Sequence, residues 1–384
     1  MTCQHNHRRL MIATAGVGTG HHAVTRALAD SLRSAEPPVR PQLVEALALT
    51  PRAFALAYAG GFALSMSRAP RLYGFGYRVS NRPHRPGRSM CERLRLFWER
   101  RMLRRFGELM DRERPELIVN THFLTTPYVT HMLRKGRFAG RQVVVVTDIE
   151  AHRYWYAEGV DHYFVPTEYT AGIVHRWGIP SQRITVSGIP VHPRWTRPVD
   201  TDRVLADWRL PADKPIVLLS GGAAFTCGPV LRIARDILEN CDVHLVPLAG
   251  RNKKLLSSFS KLARSHGRVT PVGFTHRLHE LIDVASLMVT KPGGIITSEL
   301  LAKATPAVLL RPVPGHEAGN AEYLESQGAA VIGRTPEQTV GHVRRLLGGP
   351  SELQRMSAAA AALYRPGART ITEGLLRLLE EVKS

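Results

Sequence analysis

Leu287-Met-Val-Thr-Lys-Pro-Gly-Gly-Ile-Ile-Thr-Ser-Glu299 holds, in thirteen residues, the unit from which the fold is read. Leu287–Thr290 is a short apolar run of strand length, Lys291-Pro292-Gly293-Gly294 breaks it, and a helical stretch follows. A strand feeding a glycine turn and then a helix is half of a parallel βαβ unit. Gly293 and Gly294 open the helix, so the amides there and at Ile295 lack intrahelical acceptors and can hold a phosphate. Glu299 follows about one and a half turns further in, where a carboxylate can accept two ribose hydroxyls.

The same rhythm extends in both directions. Upstream, Leu10–Ala15 reads as a buried strand, then Gly16-Val-Gly-Thr-Gly20, then a helix over His22–Ser34. Val39–Glu45, Pro115–Asn120, Gln142–Thr147, Tyr163–Pro166 and Ile184–Ser187 follow as strands with helices between most of them. Residues 190–215, rich in Pro, Arg and Asp, interrupt the pattern. Ile216–Ser220, Val243–Ala249, Val269–Pro271, Leu287–Thr290 and Ala307–Leu310 then restart it. The expectation is an α/β protein of two Rossmann-like domains facing an interdomain cleft. Residues 1–190 form the first domain, 191–213 the linker and 214–384 the second, with the last helical segment available to pack back on the first.

Composition narrows the class. Of 384 residues 44% are hydrophobic and 22% charged, ordinary for a globular chain. No apolar run approaches the ~20 residues that span a bilayer, and the lead before Leu10 lacks the pattern of a signal peptide. Cys3, Cys91, Cys227 and Cys241 form no C-x-x-C pair, so neither a zinc site nor a disulfide framework is expected, and a cytoplasmic location fits. The net charge is +20, and residues 68–105 supply half of it: twelve arginines stand against Glu92 and Glu99. Compositional drift and an anionic partner both account for such a field. The insertion at about 51–110 also places Leu94, Trp98, Met102 and Phe106, with Leu109 and Met110, at helical spacing. A basic amphipathic helix either docks on anionic lipid or covers its own sheet. No helix-turn-helix, zinc-finger or aromatic RNA-binding signature accompanies the charge, so a non-enzymatic nucleic-acid-binding protein is a remote alternative and no nucleic-acid partner is expected.

Further candidates sit at other strand ends. In Gly16–His22, Gly18 and Gly20 let the backbone approach a ligand, and an imidazole at His21 suits a general base. The spacing is G-x-G-x-G, not that of a dinucleotide fingerprint, and Glu45 is only a loose match to an acidic ribose ligand. Asp148 and His152 follow the strand Val143–Val146, and Asp148 is a second candidate for proton transfer. Gly221 and Gly222, and Arg251 and Asn252 in Gly250-Arg-Asn-Lys-Lys254, combine amides and cations that suit a diphosphate. His316, Glu317 and Asn320 fall in a proline–glycine stretch, read as a loop that presents polar groups. The triplet Asp200-Thr-Asp202 lies in the linker, not at a strand end, so no metal is expected.

Taken in order, these blocks resemble glycosyltransferase family 28, enzymes of GT-B fold that include the monogalactosyldiacylglycerol synthases and the processive diacylglycerol glucosyltransferases. The blocks are the GxGTGH loop, Thr147–Trp155, Gly159–Pro166, Ser187–Val191, Gly250–Lys254, Val272–Phe274, Lys291–Glu299 and Pro314–Asn320. The resemblance implies an inverting hexosyltransferase that takes a UDP-sugar as donor, with no cofactor and no required metal. Its acceptor would be a lipid, diacylglycerol or a glycolipid, at the cytoplasmic membrane surface, with the Arg68–Arg105 region meeting anionic lipid. A prenyl-phosphate glycolipid or a secondary metabolite is the alternative acceptor. On the same resemblance Glu299 binds the ribose, Phe274 lies beside the uracil, and Gly221, Gly222, Gly293 and Gly294 approach the diphosphate. His316 and Glu317 contact the sugar, and His21 is the candidate base. The stretch Gly221–Thr226 departs from the family's glycine- and glutamate-rich loop, and His-Glu replaces its usual Gln-Glu or Gln-Gln.

Overall fold

A computed structural model describes residues 9–16, 20–81, 90–222 and 229–381. The chain forms two compact units, residues 1–193 with 365–384, and residues 194–364. In the first unit the strands are β1 (Leu10–Thr14), β2 (Gln42–Glu45), β3 (Leu117–Asn120), β4 (Arg141–Val145), β5 (His162–Val165) and β6 (Ile184–Val186). They form one parallel sheet in the order β2-β1-β3-β4-β5-β6. Its helices are α1 (Gly20–Arg33), α2 (Arg52–Arg68), α3 (Pro70–Ser80), α4 (Met90–Met102), α5 (Arg104–Glu113), α6 (Thr126–Arg134) and α7 (Glu168–Arg176). β1 and β3 are apolar except for Thr14 and Asn120 at their ends, because both faces of a parallel sheet are covered, and every residue of each is buried.

The second unit contains α8 (Thr201–Trp208), β7 (Ile216–Ser220), α9 (Val230–Asn240), β8 (His244–Gly250), α10 (Lys253–Ser265), β9 (Val272–Gly273) and α11 (Leu278–Asp283). It continues with β10 (Leu287–Thr290), α12 (Gly294–Ala302), β11 (Ala307–Leu310), α13 (His316–Ser326), β12 (Ala330–Gly333), α14 (Pro336–Gly348) and α15 (Pro350–Leu363). Its sheet is also parallel, ordered β12-β11-β10-β7-β8-β9, the doubly wound arrangement of a dinucleotide-type domain. Ile233, Ile237, Phe259, Val289, Val308 and Val343 anchor one buried cluster across it. The terminal helix α16 (Gly367–Glu381) belongs to the first unit, where Thr372 Oγ1 meets Ser31 Oγ of α1 at 2.8 Å.

Several boundaries differ from the sequence reading. The stretch taken as linker, 191–213, is not featureless: it carries α8, whose N-cap Asp200 accepts a hydrogen bond from the Arg203 amide at 3.1 Å. That explains Asp200 in the D-x-D triplet as a helix cap. The strand placed at Val269–Pro271 lies instead at Val272–Gly273, with Val269 making one isolated bridge to Leu245. β12 is an edge strand for which the sequence reading held no counterpart.

The insertion departs most. The apolar spacing Leu94, Trp98, Met102, Phe106 predicts a single helical face, but α4 ends at Met102 and α5 starts at Arg104. The break at Leu103 changes the phase. Beyond it Phe106 and Met110 are buried against the sheet, whereas before it Leu94 and Trp98 are more than half exposed. Nine of the twelve large apolar residues that stand exposed among the described residues lie on α2, α3 and α4. On α3, Leu72, Phe75 and Val79 share one uncovered face, and on α4, Met90, Leu94, Phe97 and Trp98 share another. Arg68, Arg71, Arg78, Arg93 and Arg101 are exposed on the same three helices. No helix among the described residues is long and apolar enough to cross a membrane.

Candidate active site

In an open α/β sheet the ligand position is set by topology, at the carboxyl ends of the two strands between which the order reverses. In the second unit those strands are β7 and β10. The chain leaves β7 through Ser220-Gly221-Gly222 and leaves β10 through Lys291-Pro292-Gly293, and the two turns touch. Gly222 has φ +76°, a conformation that suits glycine, and a Cβ there would stand 2.6 Å from Lys291 Cε. The absent side chain is what lets the lysine lie across the turn.

Gly293 caps α12 with no side-chain hydrogen bond, so the first amides of the helix, at Gly294 and Ile295, open toward this turn. Glu299 lies in the same helix, a partly exposed residue. Desolvation raises its pKa to about 8, with Arg194 opposing more weakly. Phe274, following β9, is 53% exposed; the Arg251 guanidinium covers its ring at 4.4 Å from the centroid, and His276 meets its edge. Arg251, Phe274, Gly221, Gly222, Gly293, Gly294, Ile295 and Glu299 are thus all in the unit that carries this switch point.

Three sequence-based candidates are placed differently. His316, Glu317 and Asn320 are not in a presenting loop: they are the opening residues of α13, and Glu317 and Asn320 are fully buried. Helix formation turns them toward the interior, where buried polar groups need partners. Glu317 accepts from Lys291 Nζ at 2.7 Å and Asn320 Nδ2 donates to the Pro292 carbonyl at 3.1 Å. Breaking such a buried pair by removing one partner costs about 3–5 kcal/mol. Asn252 is the N-cap of α10, its side chain accepting from the Leu255 amide at 3.0 Å. Lys291, absent from the sequence-based site residues, is the cation that joins these parts. Its signal in the sequence is that it is the only basic residue in Leu287–Glu299.

The first unit has its own switch point, between β1 and β3. Gly20 and His21 begin α1, which follows β1, and Thr121 and His122 follow β3; Gly18 lies outside the described residues. His21 Nδ1 stands 2.9 Å from the Thr121 carbonyl oxygen and 3.4 Å from Thr147 Oγ1. A carbonyl only accepts, so Nδ1 carries the proton and the neutral ring's lone pair is on Nε2. His122 packs edge-on against the His21 ring, 4.7 Å between centroids. Burial, reinforced by His21, holds His122 well below its ordinary pKa, in the neutral form.

Asp148 is partly exposed beyond the end of β4, and Thr147, its neighbour, is the residue that meets His21. His152 serves structure: buried, it caps a short 3-10 turn through Nδ1 and meets Ser80 Oγ of α3 through Nε2 at 3.1 Å. Glu45, the loose match to a ribose ligand, instead accepts from the Gly16 amide at 2.9 Å and pairs with His22. That engagement removes the remaining case for a dinucleotide at the first glycine loop. Among the described residues no cluster of three or more His, Cys, Asp or Glu is arranged to hold a metal ion.

Residues 21–191 match the monogalactosyldiacylglycerol synthase family. The processive diacylglycerol beta-glucosyltransferase of Bacillus cytotoxicus is 30% identical over 264 residues, 68% of each chain. The chain belongs to glycosyltransferase family 28. The Bacillus subtilis processive diacylglycerol beta-glucosyltransferase is 31% identical over 254 residues, 66% of each chain. The crystal structure of MurG from Acinetobacter baumannii superposes with a TM-score of 0.60 at 17% identity, covering 97% of this chain and 99% of that one. That likeness bears on the fold, which is GT-B, as expected. The family assignment makes the chain a glycosyltransferase.

Proposed function

We propose that this glycosyltransferase moves a hexose from a UDP-sugar to a hydroxyl of a lipid acceptor, diacylglycerol or a glycolipid, with inversion at the anomeric carbon. The observation that carries the donor half is the meeting of two glycine turns, a helix N-terminus and a lysine at the second unit's switch point, with a carboxylate and an exposed aromatic ring in the same unit. In this reading the amides of Gly294 and Ile295 receive the diphosphate, Glu299 accepts the ribose hydroxyls and Phe274 stacks on uracil. His316 faces the hexose.

The acceptor half is assigned to the first unit. His21 Nε2 takes the proton of the acceptor hydroxyl while Nδ1–H stays anchored on Thr121. The hydroxyl oxygen attacks C1, the C1–O bond to the diphosphate breaks, and its electron pair leaves with UDP. Charge on the departing diphosphate is met by amides and basic side chains. The uncovered apolar faces of α3 and α4, flanked by exposed arginines, fit the headgroup region of an anionic bilayer in which the acceptor resides.

The test is product analysis by mass spectrometry. Purified protein is incubated with UDP-glucose, UDP-galactose or UDP-N-acetylglucosamine and anionic vesicles containing diacylglycerol. Formation of a hexosyl-diacylglycerol with inverted configuration supports the reading. If all three donors stay intact with diacylglycerol and with glycolipid vesicles, the lipid reading is lost.

A further inference from the structure

Lys291 and Glu317 form a pair that the donor reading does not account for. The carboxylate is fully buried, the lysine side chain is 24% exposed, and they are 2.7 Å apart. Glu317 also accepts weakly from the Val313 amide, so its position is fixed from two sides. The lysine stem crosses Gly222, and a Cβ on Gly293 would stand 3.9 Å from Nζ. The ammonium therefore sits at the mouth of α12, over the turn that leaves β7, where a helix terminus already favours an anion.

We propose that Lys291 is the cation that meets the leaving phosphate of the donor, and that Glu317 is the positioning residue that holds this ammonium, not a ligand of the sugar. The proposal rests on the donor reading above. Two features support it. Glu317 has no exposed surface with which to meet a hexose, and its carboxylate is engaged at both oxygens. Its neighbour in sequence, His316, keeps some surface open, so the ammonium is anchored beside the residue assigned to the sugar and stands toward the outer phosphate. When the C1–O bond breaks, negative charge grows on that phosphate. A fixed cation stabilises this state more than the ground state. Glu317 keeps the lysine extended and offsets its charge, which limits how tightly the product UDP is held.

Opposite charges acting on one anion give opposite signs on removal. Binding of UDP and of UMP, which lacks the outer phosphate, is measured calorimetrically on the full chain. Glu317→Gln, whose amide oxygen still accepts from Lys291, should tighten UDP several-fold and leave UMP unchanged, and its kcat should fall as UDP release slows. The paired variant Lys291→Met with Glu317→Gln leaves no lone buried charge. It should weaken UDP on the order of 10- to 100-fold, again sparing UMP, and lower kcat on the order of 100-fold. Adding Glu317→Gln to Lys291→Arg, which keeps the charge, should recover much of the UDP affinity.

If Glu317→Gln leaves UDP affinity unchanged and alters only the KM for the UDP-sugar, Glu317 is a sugar ligand and the proposal is overturned. Equal loss of UDP and UMP in the paired variant also overturns it. Failure of the wild-type chain to bind UDP at all sinks the donor reading itself, a distinguishable result.

Discussion

As the proposed ribose ligand, Glu299 should couple donor binding to pH, by an amount that can be worked out from its surroundings. Its carboxyl is raised to about 8, chiefly by desolvation, so near pH 7 the unliganded protein carries it mostly protonated. Ribose hydroxyls donate best to the ionised form. If that form alone binds, the apparent dissociation constant is the intrinsic one divided by the ionised fraction. With a pKa of about 8, that fraction is roughly 0.03 at pH 6.5 and roughly 0.76 at pH 8.5, so affinity should rise about 25-fold over those two pH units.

A UDP-sugar is the probe because its diphosphate, esterified at both ends, does not titrate in this range. Calorimetry in two buffers of different ionisation enthalpy should show a proton released on binding at pH 7. Glu299→Gln mimics the protonated carboxyl, so it should bind more weakly than wild type even at pH 6.5 and show no rise toward 8.5. A flat profile for the wild type, or a slope that survives in Glu299→Gln, would refute the reasoning.

The same shift bears on folding: the unfolded carboxyl titrates near 4.5 and the folded one near 8. The contribution of the protonated group is therefore whole below the unfolded value and is lost as pH rises to the folded one. Thermal unfolding without ligand should show Glu299→Gln gaining on wild type from pH 5 to 8. His21→Ala should lower turnover by about 10²–10⁴-fold while leaving UDP affinity intact; if turnover is unchanged, Asp148 becomes the base. Replacing Arg93 and Arg101 with Ser should weaken binding to anionic vesicles, at ~1 kcal/mol per arginine, by about 30-fold at low salt. Phe97→Asp with Trp98→Asp should abolish flotation without touching UDP affinity.

What the sequence made legible follows from which forces act locally. Strand–glycine–helix order is local, so β1, β3, β7, β8, β10 and β11 and their turns could be read directly, and with them the parallel two-unit fold. Gly293 and Gly294 were readable for the same reason, since a helix opened by two glycines needs no tertiary contact to expose its amides. Glu317 was not. Pro-Gly before it suggests a loop, but α13 starts at His316, and only the half-buried lysine across the sheet end explains where the carboxylate goes. Lys291 was hidden for the complementary reason: its partner lies 26 residues away, and the space it occupies exists because Gly222 lacks a side chain.

The insertion shows the limit of periodicity most clearly. Leu94, Trp98, Phe106 and Met110 obey one helical spacing, yet the first two face outward and the last two face the sheet. Periodicity states that a face is apolar; it carries nothing about what lies against that face. The one-residue interruption at Leu103 turns α5 inward, where Phe106 meets Tyr128 edge-on, and leaves the apolar face of α4 outward. Exposed apolar faces on α3 and α4 are costly in water unless something covers them for part of the catalytic cycle. On the function proposed above, the arginines sharing those helices fit an anionic cover, and an enzyme with a lipid acceptor would meet one each time it reached that acceptor. On that reading the charge surplus and the uncovered aromatic residues, which the sequence already joins in one insertion, are two requirements of one contact.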